Sequence, residues 1–185
     1  MRYDDIKGHF NFEEVYDKVL AEIQENDILV EIGTYLGKST CYMAERIRQL
    51  GLNVKFHTVD VFVPDPQMRR RYKKGEGKDI FNSFLENMRN AGVLDLITVH
   101  KKQSIEAAKL FADYSLFFVF IDGSHDYESV KADIKVWYPK IKMGALIGGH
   151  DYGNQILTGA DQAVRERFGS DFELIENSWL HRRHT

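Results

Sequence analysis

The sequence holds a single cysteine, Cys41, so no disulfide can form within the chain and nothing points to an oxidising compartment. No apolar run approaches the roughly 20 residues needed to cross a bilayer. The opening segment, MRYDDIKGHF, lacks the apolar core of a signal peptide. A basic excess is missing as well. Lys and Arg number 25 against 28 Asp and Glu, for a net charge of -3, which argues against a dedicated nucleic-acid binder and leaves room only for a local basic patch. The expectation is a cytoplasmic protein with neither membrane nor nucleic acid as partner. Of three prolines, Pro64 and Pro66 share one polar loop and Pro139 should end a helix. There is no internal repeat.

What the chain does contain is ordinary for a soluble domain: 43% apolar and 29% charged residues over 185 positions, read as one domain spanning 1–185. Helical and strand patterns alternate. Phe12, Val15, Tyr16, Val19, Leu20 and Ile23 recur at helical spacing, with Asn11 and Glu14 as a loose capping box. Strands are expected at Asp27 to Gly33, Val54 to Phe62, Leu96 to His100, Ser115 to Asp122 and Ala145 to Asp151. Between them run helices around residues 40–50, 80–88, from Ser104, 130–137 and 160–168. Residues 172–183 could form a terminal antiparallel pair. Cys41 falls in a helical pattern, as a small core residue. Such alternation implies βαβ units, a mostly parallel sheet and a ligand site beyond the carboxyl ends of the strands.

One segment breaks the rhythm. Residues 64–79, PDPQMRRRYKKGEGKD, are polar, basic and rich in Pro and Gly, and they follow the second strand. A loop here is either a lid or a solvated insertion. Its run from Arg69 to Lys74 could attract an anionic substrate, although charge runs are more often simply solvated.

At the expected ligand edge, EIGTYLGKST (Glu31 to Thr40) joins the first strand to a helix. Gly33 and Gly37 would let the backbone turn tightly and approach a ligand. A dinucleotide-binding loop reads G-x-G-x-x-G. Here Glu31 takes the first glycine's place, which disfavours pyrophosphate and suits a cationic ligand. Asp60 ends the second strand, where a carboxylate can accept ribose hydroxyls. Each feature also has a plain structural reading, as a glycine-containing turn and a strand-end Asp.

The segment from Phe120 to Tyr152 is more specific. A buried strand ends in Asp122-Gly123-Ser124-His125-Asp126-Tyr127. A helix with Asp133 and Trp137 follows, then Gly148-Gly149 and His150-Asp151-Tyr152. In these elements, and in the Glu31 to Ser39 loop, the sequence resembles class I S-adenosylmethionine-dependent methyltransferases. It resembles most the methyltransferase-24 family, related to catechol and macrolide O-methyltransferases. The resemblance spans roughly residues 27 to 169. It implies a Rossmann-like α/β sandwich with a mostly parallel seven-stranded sheet and a terminal antiparallel strand. It implies S-adenosylmethionine as cofactor, with Glu31, Gly33, Tyr35 and Ser39 around its amino-acid end. Asp60 would lie on the ribose, Gln103 and Ser104 by the adenine, and Asp122 near the methionine and, in metal-dependent relatives, on the metal. O-methylation of a small molecule such as a sugar or secondary metabolite follows as the expected activity. A homodimer is the default assembly.

Methyl transfer requires that an acceptor be aligned and deprotonated. Asp122, His150 and Asp151 could hold a divalent cation, magnesium first, if Gly148, Gly149 and Gly153 let the chain turn at the strand end. Catechol-type enzymes carry D-N where this chain has His150-Asp151, and imidazole shifts metal preference toward softer ions. Alternatively His125 or His150 is the general base, or the histidines only hydrogen-bond at strand ends. Two competing functions share part of the pattern. One is a nicotinamide-dependent oxidoreductase, against which Glu31 argues. The other is a non-catalytic cofactor-binding subunit.

Overall fold

The structure is a computed structural model, described over residues 1–63, 79–153 and 159–184. The expected lid and its basic run, residues 64–78, lie outside the described residues. Asp79, the last residue of that segment, caps the helix that follows by accepting from the Asn82 amide.

Among the described residues, six α-helices and seven strands follow in chain order. Helix α1 (Glu13–Glu22) leads into β1 (Ile28–Ile32), α2 (Lys38–Gln49), β2 (Lys55–Asp60) and α3 (Ile80–Asn90). Then come β3 (Ile97–Lys101), α4 (Ser104–Ala108), β4 (Leu116–Ile121), α5 (Tyr127–Trp137), β5 (Ile141–Gly149) and α6 (Gly159–Phe168). The chain closes with β6 (Glu173–Ile175) and β7 (Ser178–Arg182). The strands form one sheet in the order β3-β2-β1-β4-β5-β7-β6. Strands β1 to β5 pair in parallel, and β7 inserts antiparallel between β5 and β6. The expected α/β class and terminal antiparallel pair are therefore present.

The period-two alternation of the strands sorts side chains to two faces. Leu29, Phe56, Phe118 and Phe120 pack with Val15, Tyr16 and Val19 of α1, Met43 and Ile47 of α2, and Phe84 and Met88 of α3. Val30, Ile32, Val119, Ile121 and Ile147 pack on the other side with α4, Val130, Ile134 and Trp137 of α5, and Val164 of α6. The sheet is thus covered on both faces, as its apolar parallel strands require.

Three local expectations need correction. Asn11 does not cap α1; the cap position is Phe12 and no side chain satisfies the helix amides. Strand β5 begins at Ile141, earlier than its apolar run, because an irregularity with Gly144 at φ 78 interrupts it where Met143 is exposed. Gly148 and Gly149 do not turn the chain. They lie inside β5, where a Cβ would come within 2.7 Å of the Trp179 and Ile121 carbonyls respectively. Their small size lets neighbouring strands close in.

Candidate active site

The carboxyl ends of β1, β2, β4 and β5 all point to one edge. Glu31 lies near the end of β1, 1% exposed, on the face covered by α1 and α2. Its carboxylate accepts from the hydroxyls of Tyr16 (2.9 Å), Ser39 and Thr40. Burial raises its pKa to about 7, although the three hydroxyls favour the charged form. Glu31 and Ser39 thus fasten helix α2 and the glycine loop to the strand, in addition to any part they play toward a ligand. The next turn needs glycine for a steric reason. Gly33 has φ 84, and a Cβ there would sit 2.1 Å from the Asp122 carbonyl oxygen. The loop after β1 and the end of β4 are therefore in backbone contact. The Asp122 amide donates to Ile32 O (2.8 Å).

Asp60 ends β2 and serves the same loop. Its Oδ2 accepts from the Thr34 and Tyr35 amides (2.8 and 2.9 Å), and its Oδ1 from the Phe62 amide (2.6 Å). Tyr35, at φ 48, is held in the left-handed region by this contact. The Thr34 hydroxyl makes a fourth, longer contact to Oδ2 (3.5 Å), so it is Oδ1, which accepts from a single amide, that keeps a position for a further donor. Gln103 and Ser104 begin the α4 segment. Gln103 is exposed, while Ser104 Oγ accepts from Trp137 Nε1 (2.8 Å) and donates to Asp133. The Asp133–Trp137 pair of the sequence motif therefore braces α4 from α5. Burial raises the Asp133 pKa to about 6, against the opposing Ser104 hydrogen bond.

The densest constellation stands where β4 and β5 end side by side. His125 Nδ1 is 2.5 Å from Asp151 Oδ2. His150 Nδ1 is 3.5 Å from both Asp122 Oδ1 and Asp151 Oδ1, and its Nε2 is 2.9 Å from Asn11 Oδ1. Both ring nitrogens of His150 face oxygen acceptors. The ring is consistent with an imidazolium donating from each, an arrangement suited to holding charge rather than accepting a proton. Burial opposes that charge, yet the two carboxylates outweigh it and push the pKa to about 9. Asp151 has burial against its charge too, but the two histidines hold it well below the usual carboxylate range. The hydrogen bond to Asp151 raises the pKa of His125. Burial raises that of Asp122, which His150 only partly offsets. Asp151 also adopts φ 61, unusual for a residue with a Cβ, and its imidazole contacts help fix it there.

The expected grouping of Asp122, His150 and Asp151 is thus close, with one change of emphasis. Among the described residues, the set with ligand atoms within 4.8 Å of one another is Asp122, His125 and Asp151. His125 joins Asp122 and Asp151 in that set, while His150 faces both carboxylates through Nδ1 and Asn11 through Nε2. The motif tyrosines serve the scaffold. Tyr127 OH contacts Glu166 and Lys131, tying the start of α5 to α6, and Tyr152 OH accepts from Arg165 Nε (2.7 Å), tying the loop after β5 to α6. The residues missed in sequence are Asn11, Tyr16 and Thr40, with His9, whose ring lies 5.9 Å from that of His150. Their roles arise from long-range contacts that no local spacing announces.

Known proteins share this architecture. The family model described as "Methyltransferase domain" matches residues 30–152. A rhamnosyl O-methyltransferase of Mycobacterium tuberculosis is 25% identical over 170 residues, covering 85% of this chain and 62% of that protein. An uncharacterised Sinorhizobium fredii protein, y4gI, is 25% identical over 123 residues, 66% of this chain but 13% of its own length. The chain therefore spans less than two thirds of these relatives. Among solved structures, the O-methyltransferase NovP superposes with a TM-score of 0.72 at 21% identity, over 95% of this chain and 78% of that one. The calicheamicin methyltransferase CalS11 gives 0.65 at 13% identity, over 92% and 77%. Because the matched region includes the glycine loop, Asp60 and the β4 and β5 ends, the chain belongs to the methyltransferase domain family.

Proposed function

We propose that this chain transfers the methyl group of S-adenosylmethionine to a hydroxyl of a small molecule, with a sugar hydroxyl as the leading acceptor class. The single observation that carries the reading is the cluster of Asp122, His125, His150 and Asp151 beside the Gly33 loop. It unites two things the reaction needs: buried negative charge for a sulfonium cofactor and an oriented imidazole for the acceptor. The donor set suits the cofactor. Burial disfavours the charged forms of Glu31 and Asp122, and a cationic ligand would relieve that penalty. Asp60 retains acceptor capacity for a ribose hydroxyl, and Gln103 stands exposed at the neighbouring strand end. When bound, S-adenosylmethionine supplies a methyl carbon activated by its sulfonium. A sugar acceptor is favoured by the similarity to the rhamnosyl O-methyltransferase and to CalS11, a TDP-rhamnose 3'-O-methyltransferase.

His125 is the proposed base. Asp151 holds its Nδ1–H, which leaves the Nε2 lone pair as the ring's proton acceptor, the logic of an Asp–His dyad. His150 is the fixed positive charge between the two carboxylates. The base must be neutral to act, and its pKa lies above the ordinary histidine value. Turnover should therefore rise with pH on an acid limb centred above about 6.5. Incubation with labelled S-adenosylmethionine and a panel of rhamnosides and other glycosides, read by mass spectrometry, tests the activity. His125→Ala should lower kcat by roughly 10²–10⁴ and abolish that limb. An unchanged pH profile would assign the base elsewhere.

A second reading has one observation in its favour: the close approach of ligand atoms from Asp122, His125 and Asp151. These three would hold a divalent cation, which would supply acidity to the acceptor hydroxyl. Loss of turnover in excess chelator, restored by magnesium, manganese or zinc, would select it.

A further inference from the structure

Three consecutive residues before α1 have divided roles. Phe10 and Phe12 are buried, at 9% and 2% exposed, and their rings meet edge to face at 4.7 Å. Phe12 stacks obliquely on Phe120 of β4 at 4.6 Å and reaches the His150 ring at 5.1 Å. Phe10 contacts Tyr16, whose hydroxyl holds Glu31. The segment is thus anchored on both sides of Asn11. The Asn11 side chain is left to meet His150 Nε2 at 2.9 Å, and it does so across 139 positions of sequence. It does not cap the helix that begins two residues later. On the opposite edge of the same ring, Nδ1 stands at equal distance, 3.5 Å, from Asp122 and Asp151.

We propose that Asn11 is a positioning residue for methyl transfer: by accepting from His150 Nε2 it fixes the imidazole between Asp122 and Asp151 and so sets the spacing of the two strand ends. The physical reason is directional. An imidazole has one plane and two nitrogens at fixed angles, so clamping Nε2 decides where Nδ1 points. Without the clamp the ring can rotate toward either carboxylate. The Asp151 carboxylate that orients His125 would then lose its fixed partner. Two buried aromatic anchors make the amide's position rigid, and neighbouring hydrogen bonds hold catalytic rings in this way at other imidazole sites.

The proposal rests on the methyl-transfer reading, and its test separates the two. The full chain is prepared as wild type, Asn11→Leu and Asn11→Asp. Leucine keeps the volume and removes the acceptor, whereas aspartate keeps an acceptor and adds charge. Nitrogen NMR of the His150 ring needs no turnover. The Nε2–H proton, held by the Asn11 acceptor, should be lost to solvent exchange in Asn11→Leu and stay protected in Asn11→Asp, a contrast that loosened packing would not give. In the transfer assay Asn11→Leu should lower kcat about tenfold with little change in KM for S-adenosylmethionine, and Asn11→Asp should recover most of it. Ring signals unaffected by either variant would overturn the clamp, as would equal turnover in Asn11→Leu. Absence of methyl transfer by the wild type, with the ring still answering to position 11, would overturn the reaction reading alone.

Discussion

Single side chains at the ligand edge do two jobs, and substitutions there should be read accordingly. Asp60 holds the glycine loop through the Thr34 and Tyr35 amides, so Asp60→Ala removes loop anchoring together with any ribose contact. The expected loss in S-adenosylhomocysteine affinity is roughly 1–3 kcal/mol, measured by titration calorimetry. Unchanged affinity would place the ribose elsewhere. Gly33 gives a cleaner steric case. A methyl group 2.1 Å from the Asp122 carbonyl cannot be accommodated at φ 84 without moving a strand end. Gly33→Ala should destabilise by about 3 kcal/mol in urea unfolding, the upper part of the range for overpacking. The glycine loop and the acids at positions 31, 60 and 122 were legible in sequence because residue type and place in a βα unit together limit what they can do. The identity of the proton-holding ring was not. His125 and His150 look alike as letters, and only the partners at their nitrogens, Asp151 and Asn11, distinguish them.

Secondary-structure elements were legible wherever burial was periodic. The near-continuous apolar runs of β1 and β4 and the helical stripe of α5 left little freedom, so their strands and helix fall near the expected bounds. The misreadings share one cause: a residue whose local chemistry suggests one role is recruited by a distant element. Asn11 looks like a cap and bonds to β5's end. Gly148 and Gly149 look like a turn and serve close packing against β4 and β7. Helix α1 illustrates the energetic consequence. Phe12 joins it to β4 through Phe120, so Phe12→Ala should cost about 3–5 kcal/mol by cavity formation. The same variant should raise hydrogen exchange in residues 9–12 before global unfolding, since Phe12 is one of their two buried anchors. Exchange unchanged in that segment would show that the segment is held by other contacts.

Across the whole molecule, charge and burial make stability depend on pH in two windows. His57, hydrogen-bonded to His100 at 3.0 Å across β2 and β3, has its pKa lowered to about 4 by burial, with His100 and Lys55 adding to the effect. The unfolded chain binds that proton near pH 6.5 and the folded chain does not. The His57 contribution to stability therefore falls as pH drops from about 6.5 toward 4, with a slope of up to about 1.4 kcal/mol per pH unit. His150 works in the opposite sense. Its raised pKa stabilises the fold fully below about 6.5, and that contribution is lost as pH rises through about 9. Unfolding midpoints of wild type and His57→Gln should converge above pH 7 and separate below pH 6, with the variant less sensitive to acid. Parallel curves would remove His57 as the source.

Three strand-end acids, Glu31, Asp60 and Asp122, stand around the Gly33 loop at one edge of the sheet. The measurement that tests this most directly is titration calorimetry of the full chain with S-adenosylhomocysteine, run beside NADH as a control. The account predicts saturable binding of S-adenosylhomocysteine, weakened in Asp60→Ala, and no heat from NADH. Absence of S-adenosylhomocysteine binding at millimolar concentration, or preference for NADH, would contradict it.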